Sequence, residues 1–170
     1  LMLSYNGMRT IAEGALTGPY SLYLTTIDLS FNRLREIPYD DFSAANIPYL
    51  YGIDLSNNAF NAFPFAPLSI ETLTVMSIRQ QRDDAGNRTL REWPTGLYTC
   101  PKMSAFYIGS NDLRKIEDTI SPYILLFEIK DNPNISIDLS EVCPYIEMGY
   151  YELIYDSTQD IRGCDALNLD

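Results

Sequence analysis

The stretch at residues 24–34 reads LTTIDLSFNRL, and the stretch at residues 50–60 reads LYGIDLSNNAF. Both follow the pattern L-x-x-L-x-L-x-x-N-x-L, in which another apolar residue can replace leucine. Each is followed by an apolar residue and a proline, at Ile37-Pro38 and at Phe63-Pro64. The second copy follows the first directly along the chain, so the two identify the unit of an internal repeat.

Further copies of this unit cover most of the chain. The chain begins inside a copy, because Leu1 and Leu3 match Ile27 and Leu29, and we therefore expect further repeats or another domain upstream. The equivalent strand positions are Leu1, Ile27, Ile53, Met76, Phe106 and Phe127, and their spacing is irregular. The widest spacing, from Met76 to Phe106, contains an insertion at residues 82–89, which we predict to be a surface loop.

Residue periodicity predicts the fold. Apolar residues alternate with polar ones between the second and third leucine positions, which is typical of a short strand with one buried face. Strands of successive coils then stack in parallel, about 4.8 Å apart, and form the concave face of a curved solenoid. The fold class is α/β: a right-handed leucine-rich solenoid whose convex segments are short helical, 3-10 or irregular. A column of amide side chains should pair with backbone groups in the turn after each strand; its members are Asn6, Asn32, Asn58, Gln81, Asn111 and Asn132.

The last part of the chain departs from the pattern. Cys143-Pro144-Tyr145-Ile146 begins a sixth coil in which Gly149 occupies the second leucine position. We therefore divide the chain into repeats at residues 1–145 and a C-terminal cap and tail at residues 146–170. Cys100 and Cys143 lie two coils apart, too far for a disulfide, which leaves two readings open: buried free thiols, or a bond between Cys143 and Cys164.

Composition excludes several classes of function. The net charge is -11, from 23 acidic and 12 basic residues, which argues against a nucleic-acid partner. The chain has no histidine, so catalytic triads with a histidine base and histidine-ligated metals are excluded. No apolar run approaches the ~20 residues of a membrane-spanning helix. The sequence indicates no cofactor and no metal site.

The repeats resemble those of leucine-rich repeat proteins over nearly the whole chain. The irregular coil lengths and the run GNRTLREWP at residues 86–94 resemble cell-surface or secreted members from gut commensal bacteria. The resemblance implies a location outside a bacterial cell and a ligand surface on the concave face. The candidate ligand residues on that face are Asp28, Phe31, Arg33, Asp54, Asn57, Arg79, Tyr107, Glu128 and Lys130.

Two smaller features have competing interpretations. Asp28 and Asp54 lie at strand spacing, which suits a retaining glycosidase pair, but Asp-Leu-Ser also suits a solvated strand followed by a turn. The inserted loop offers carboxylates at Asp83 and Asp84, yet Asp-Ala-Gly-Asn is also common turn chemistry without calcium-ligand spacing. We favour a turn that contributes to partner binding; the loop candidates are Arg82, Asp83, Asp84, Asn87 and Arg88.

The functional expectation is a non-catalytic module that binds a protein or a glycan on its concave face. The alternative is a structural spacer that stabilises an upstream domain. A more remote alternative is a glycosidase-like enzyme that uses Asp28 and Asp54.

Overall fold

The computed structural model describes residues 1–64, 71–93, 101–116, 120, 123–165 and 167. Six three-residue strands form one parallel sheet, each contributed by a different coil. They are β1 (Thr26–Asp28), β2 (Gly52–Asp54), β3 (Val75–Ser77), β4 (Ala105–Tyr107), β5 (Leu126–Glu128) and β7 (Glu152–Ile154). The predicted parallel solenoid is thus confirmed.

The strand register follows the sequence repeat. Ile27 pairs with Ile53, which pairs with Met76; Met76 pairs with Phe106, which pairs with Phe127. The partial copy at the start joins the same sheet, because Met2 forms a parallel bridge with Asp28. The irregular spacing of the copies therefore leaves the strand register unchanged, and the differences in length are absorbed between the strands.

The core lies between the sheet and the returning segments. Leucine and isoleucine side chains at the inward positions are buried in every coil from the first to the fifth. At the inward strand position of the fourth and fifth coils phenylalanine takes their place: Phe106 and Phe127 lie parallel with ring centroids 6.1 Å apart, and Trp93 packs edge-on against both. Burial of apolar side chains is the main stabilising contribution to folding. In a solenoid each coil buries its apolar side chains against its two neighbours only.

The sixth coil has a different register from the predicted one. Leu153, not Gly149, occupies the inward position, since it pairs with Phe127 in the sheet. The residues before it form the helix α1 (Cys143–Glu147), and Gly149 follows this helix with a φ of 74°. A positive φ of this size is typical of a glycine just past a helix end. The sequence after residue 145 therefore extends the main sheet by one strand, while the proposed boundary between repeats and cap stays a prediction.

The returning segments are short, as predicted. In the described part of the chain they contain the 3-10 helices Pro19–Tyr23 and Tyr39–Asp41 and the helix α1. The sequence pattern did not predict a second parallel sheet on this side, formed by β6 (Ser136–Asp138) and β8 (Asp160–Arg162). Within the described residues no helix is long and apolar enough to cross a membrane.

A disulfide joins the last helix to the end of the chain. Cys143 at the start of α1 is bonded to Cys164, with 5.1 Å between the two Cα atoms, and both residues are buried. Of the two readings that the sequence left open for this pair, the structure has the bonded one. Cys100 lies outside the described residues.

Candidate functional site

A column of amide side chains, here called the amide ladder, fixes the turn after each strand. Asn58 is typical: its Nδ2 donates to the carbonyl oxygens of Leu29 and Leu55, at 2.9 and 3.0 Å, and its Oδ1 accepts from the Leu34 amide at 3.0 Å. The side chain thereby links two successive coils. The other five predicted members also donate to backbone carbonyl groups; they are Asn6, Asn32, Gln81, Asn111 and Asn132.

The ladder has a seventh member that the sequence comparison missed. Gln159 donates to Ile129 O at 2.8 Å and to Asn132 O at 3.3 Å, and it accepts from the Asp156 amide at 2.8 Å. It comes one position later than the repeat places the amide, since Thr158 follows Leu153 as Asn132 follows Phe127. The extra methylene of glutamine lets a side chain from the neighbouring position reach the same carbonyl groups.

The residue before each of the six predicted ladder amides has a left-handed backbone. In the first six copies the φ angle at this position lies between 53° and 60°; the residues are Tyr5, Phe31, Asn57, Gln80, Ser110 and Asp131. Residues other than glycine adopt this conformation only where surrounding contacts hold it, and the amide ladder supplies those contacts. At the start of the column Tyr5 and Phe31 stack with ring centroids 4.2 Å apart, and both side chains are exposed.

Asp28 and Asp54 are both used as turn acceptors. Asp28 Oδ1 accepts from the backbone amide of Ser30 at 2.9 Å and from its hydroxyl at 2.6 Å, and Asp54 Oδ1 accepts from the Ser56 amide at 2.8 Å. Partial burial opposes ionisation of Asp28, but the Ser30 hydrogen bonds outweigh it and lower the pKa of the carboxyl. A general acid requires a raised pKa, so Asp28 does not suit the acid role in a glycosidase pair.

The same turn occurs away from the main sheet. Asp138 Oδ1 accepts from the amide and the hydroxyl of Ser140, at 2.9 and 2.5 Å, after the strand β6. Those Ser140 hydrogen bonds also lower the pKa of Asp138. Asp-Leu-Ser thus forms a structural turn at three strand ends, two in the main sheet and one outside it, which favours the turn interpretation of Asp28 and Asp54.

Four of the predicted ligand residues meet on the sheet at coils three to five. We call Arg79, Tyr107, Glu128 and Lys130 the concave cluster. The Glu128 carboxylate forms an ion pair with Arg79 through Nε, and its Oε1 lies 3.5 Å from Lys130 Nζ. The Arg79 guanidinium lies over the Tyr107 ring, 4.4 Å from the centroid, an arrangement in which the positive charge is attracted to the ring face.

Burial distinguishes Glu128 from the other outward-facing acids. Its side chain is 2% exposed, whereas those of Arg79 and Lys130 are 39% and 51% exposed. Gly109 makes this burial possible: a Cβ at that position would lie 3.2 Å from Glu128 Cδ and 3.0 Å from the Lys130 carbonyl oxygen. The sequence signal for this contact was a glycine at an outward strand-end position, which the other coils fill with serine, arginine, lysine or aspartate.

The inserted loop is closed by its own residues. Asp83 Oδ1 accepts from the Ala85 and Asn87 amides, at 2.9 and 2.8 Å, and its Oδ2 accepts from Asn87 Nδ2 at 2.9 Å. These Asn87 hydrogen bonds lower the pKa of Asp83, and Arg35 contributes a smaller coulombic effect. Arg82 donates to Gly86 O at 3.1 Å, so most predicted loop candidates hold the turn together.

Two loop residues reach other coils. Arg88 donates to Asn111 O at 2.8 Å and to Asp131 Oδ1 at 2.6 Å, which attaches the loop to the fourth and fifth coils. Partial burial opposes ionisation of Asp131, but the hydrogen bonds from Arg88 and Ser110 prevail and lower its pKa. At the other end of the loop, Asp84 lies 3.9 Å from Arg33 of the first coil.

The predicted residues therefore fall into separate groups. Phe31 belongs to the aromatic pair with Tyr5, and Arg33 to the edge beside the loop. Asn57 lies in the left-handed column between these groups and the concave cluster. Neither Tyr5 nor Gly109 was predicted to contribute to a site.

Comparison with solved structures identifies the repeat. A leucine-rich repeat protein from Bacteroides thetaiotaomicron VPI-5482 superimposes with a TM-score of 0.94 and 50% sequence identity, over 99% of this chain and 21% of that one. A leucine-rich repeat protein from Bacteroides eggerthii DSM 20697 gives a TM-score of 0.92 and 53% identity, over 99% of this chain and 28% of that one. The chain is a leucine-rich repeat protein.

This leucine-rich repeat chain spans between a fifth and a third of the length of those two relatives. No family model and no curated protein matches it. The resemblance to leucine-rich repeat proteins of gut commensal bacteria is confirmed, whereas the ligands of such proteins do not follow from the likeness. The fold is one used for binding or for structural support.

Proposed function

We propose that this leucine-rich repeat chain is a non-catalytic binding module, and that a protein or glycan ligand lies on its concave face over the concave cluster. The observation that carries the proposal is Glu128, a carboxylate 2% exposed on the outward side of the sheet and paired with two partly exposed cations. Removing a charge from water costs free energy that an ion pair recovers only in part. A small neutral side chain would complete the strand as well, so stability alone does not account for this arrangement.

The equivalent positions in other coils support this argument. Ser77 stands where Glu128 does in another coil of the same sheet, and the strand forms with the same register. The fold therefore does not require a buried acid at this position. The first two coils also carry an acid at this position, but Asp28 and Asp54 are only half-buried and accept hydrogen bonds from their own turns. The buried Glu128 beside Gly109 therefore departs from the repeat, and departures of this kind are typical of functional positions.

The cluster presents oriented hydrogen-bond donors to the concave side. Glu128 pairs with one nitrogen of Arg79 and approaches Lys130, so the remaining N–H groups of both cations are left to donate to a ligand. Carbonyl and hydroxyl oxygens, which peptides and glycans both carry, are suitable acceptors. Because the ion pairs already hold both side chains, a ligand would cost less side-chain entropy on binding.

The disulfide supports a location outside the cytoplasm. Cystines persist in oxidising surroundings such as the cell surface or a secreted state, and the bond between Cys143 and Cys164 closes the last coil. The net charge of -11 favours solubility in such surroundings. We therefore place the module at the surface of a bacterial cell or in its secretions.

A glycan array and a displayed peptide library, each probed with the purified chain, test the proposal. Every ligand found is then measured against Tyr107→Ala, which removes the ring beneath Arg79, and against Glu128→Gln, which keeps the shape but removes the negative charge. We expect each variant to weaken binding by about tenfold or more, as is usual for central interface residues.

Tyr23→Ala is the matched control, because Tyr23 is an exposed tyrosine that lies in a 3-10 helix away from the sheet. It should bind as the wild type does. Ligands that bind Tyr107→Ala and the wild type equally would show that the chosen face is wrong. Absence of any ligand in both screens would favour the spacer function instead.

A further inference from the structure

A second surface lies beyond the carboxyl ends of the first strands, and it shares no residue with the concave cluster. Three arginines line a groove of about 260 Å³ there, together with Thr10, Glu36, Ala59 and Asp84. We call this the arginine groove; its arginines are Arg9, Arg33 and Arg35. Its charged lining residues are three cations and two acids, in a chain whose net charge is -11.

The repeat itself builds this groove. Arg9 and Arg35 belong to successive copies, and each directly follows an inward apolar residue, Met8 or Leu34. They therefore occupy the same position in successive coils, and strand stacking places such positions about 4.8 Å apart. The inserted loop completes the groove, because Asp84 contributes to its lining 3.9 Å from Arg33.

The guanidinium groups are poorly compensated. In the part of the chain that the structure describes, Arg9 and Arg35 form no ion pair within 4 Å, and Arg35 acts on the Asp83 carboxylate only through a coulombic effect smaller than that of the Asn87 hydrogen bonds. Arg33 has only the Asp84 carboxylate at 3.9 Å, and both side chains of that pair are more than half exposed. Guanidinium groups bind carboxylates through paired N–H donors, so three of them around one groove form a receptor for such a group.

We propose that the arginine groove binds the carboxylate of a small acidic ligand, and that Asp84 of the inserted loop competes with it for Arg33. The groove is smaller than the roughly 300–1,000 Å³ of sites for drug-sized ligands, so it suits a single acidic sugar unit or one acidic amino acid. This site is independent of the function proposed for the concave cluster, and either one can fail alone.

The experiment uses two pairs of ligands that differ mainly in charge. The purified chain is titrated with glucuronate against glucose, and with glutamate against glutamine, while the Nε–Hε signals of the arginines are followed by NMR. We expect only an acid to shift the signals of Arg9, Arg33 and Arg35. A response to glucuronate alone identifies an acidic sugar as the source of the carboxylate, and a response to glutamate alone identifies an acidic amino acid or peptide side chain.

Three variants separate the groove from general charge. Arg35→Gln should weaken binding about tenfold, as the loss of a charged hydrogen-bond donor predicts, and Asp84→Asn should strengthen it, because it removes the internal competitor. Arg114→Gln is the control, since Arg114 also directly follows an inward apolar residue, Leu113, but does not line the groove. Thermal unfolding of each variant checks that these exposed substitutions leave the fold intact.

Several results would overturn the proposal. Equal shifts with glucose and glucuronate, and with glutamine and glutamate, would show that charge is not recognised. An equal loss of affinity in Arg114→Gln and Arg35→Gln would indicate nonspecific attraction to basic side chains. Absence of binding by either acid up to about 100 mM, well beyond the millimolar range of weak specific sites, would also exclude the groove as a receptor.

Discussion

Replacing Asn58 with alanine should destabilise the solenoid by about 3 kcal/mol. Asn58 is buried and makes hydrogen bonds in two directions, so the cost depends on which of its partners lose their only bond. Leu29 O keeps its bond from Asn32, and Leu55 O keeps its bond from Gln81, at 3.0 Å each. The Leu34 amide loses its acceptor and becomes a buried donor without a partner in the described contacts.

The magnitude follows from these contacts. An orphaned buried amide costs about 1–3 kcal/mol, and each ordinary hydrogen bond that is lost contributes about 0.5–1.5 kcal/mol net. Because both carbonyl acceptors keep a second donor, their share lies at the lower end, which gives about 3 kcal/mol in total. Urea unfolding followed by circular dichroism measures the change as a shift in the midpoint at constant slope.

Two controls make the result interpretable. Asn61→Ala removes an exposed asparagine of the same coil and should change stability by no more than about 0.5 kcal/mol. Asn6→Ala removes the exposed first member of the amide ladder, where water can replace the lost bonds, and should cost less than about 1 kcal/mol. If Asn58→Ala were no more destabilising than Asn61→Ala, the amide ladder would not be what holds the turns.

Two further predictions concern the end of the chain and the response to acid. Cys164→Ser should lower the free energy of unfolding by about 3 kcal/mol, as expected for a bond between cysteines at a sequence separation of 21, and a reducing agent should then have no further effect on urea unfolding. A variant with the wild-type unfolding midpoint would show that the disulfide does not stabilise the fold. Asp28 has a lowered pKa in the folded chain, so its ionised form stabilises the fold above its unfolded pKa of about 4, and this contribution is lost as the pH falls through the lower folded value. Asp28→Asn should therefore show a shallower loss of stability below about pH 4, measured by thermal unfolding across pH, and an unchanged acid limb would contradict the role of its Ser30 hydrogen bonds.

The sequence predicted the sheet because the inward strand positions carry apolar residues in every copy of the repeat. Ile27, Ile53 and Met76 are buried in register, and a polar residue there would leave a coil without a core. The predicted register failed in the sixth coil, where Pro144 lies inside a helix, whereas Pro48 and Pro101 each lie four residues before a strand. The inward position moves from Gly149 to Leu153, because the helix and its terminal turn have to be completed before the strand can begin.

The outward residues were predictable in position but not in their contacts. The period of two places Arg79, Tyr107 and Glu128 on one face, and the structure brings them together. The period of two in the sequence does not show that Glu128 is buried, since the burial depends on the missing Cβ of Gly109 in the neighbouring coil. Nor does it show that Arg33 faces Asp84, because the path of an inserted loop is independent of the repeat.

The inserted loop connects the two proposed sites physically. Arg88 attaches its end to Asp131, the residue after Lys130 of the concave cluster, while Asp84 lines the arginine groove. A ligand that displaced Asp84 from Arg33 would free the loop at one end only, because the hydrogen bonds of Asp83 and Arg88 do not involve the groove. Arg88 therefore fixes the loop to the fourth and fifth coils, while the ion pair of Asp84 with Arg33 attaches it to the first coil. This exposed ion pair on its own contributes about 0–1 kcal/mol. A ligand with a millimolar dissociation constant can displace Asp84 from an interaction this weak, so the inserted loop can line the groove without preventing binding.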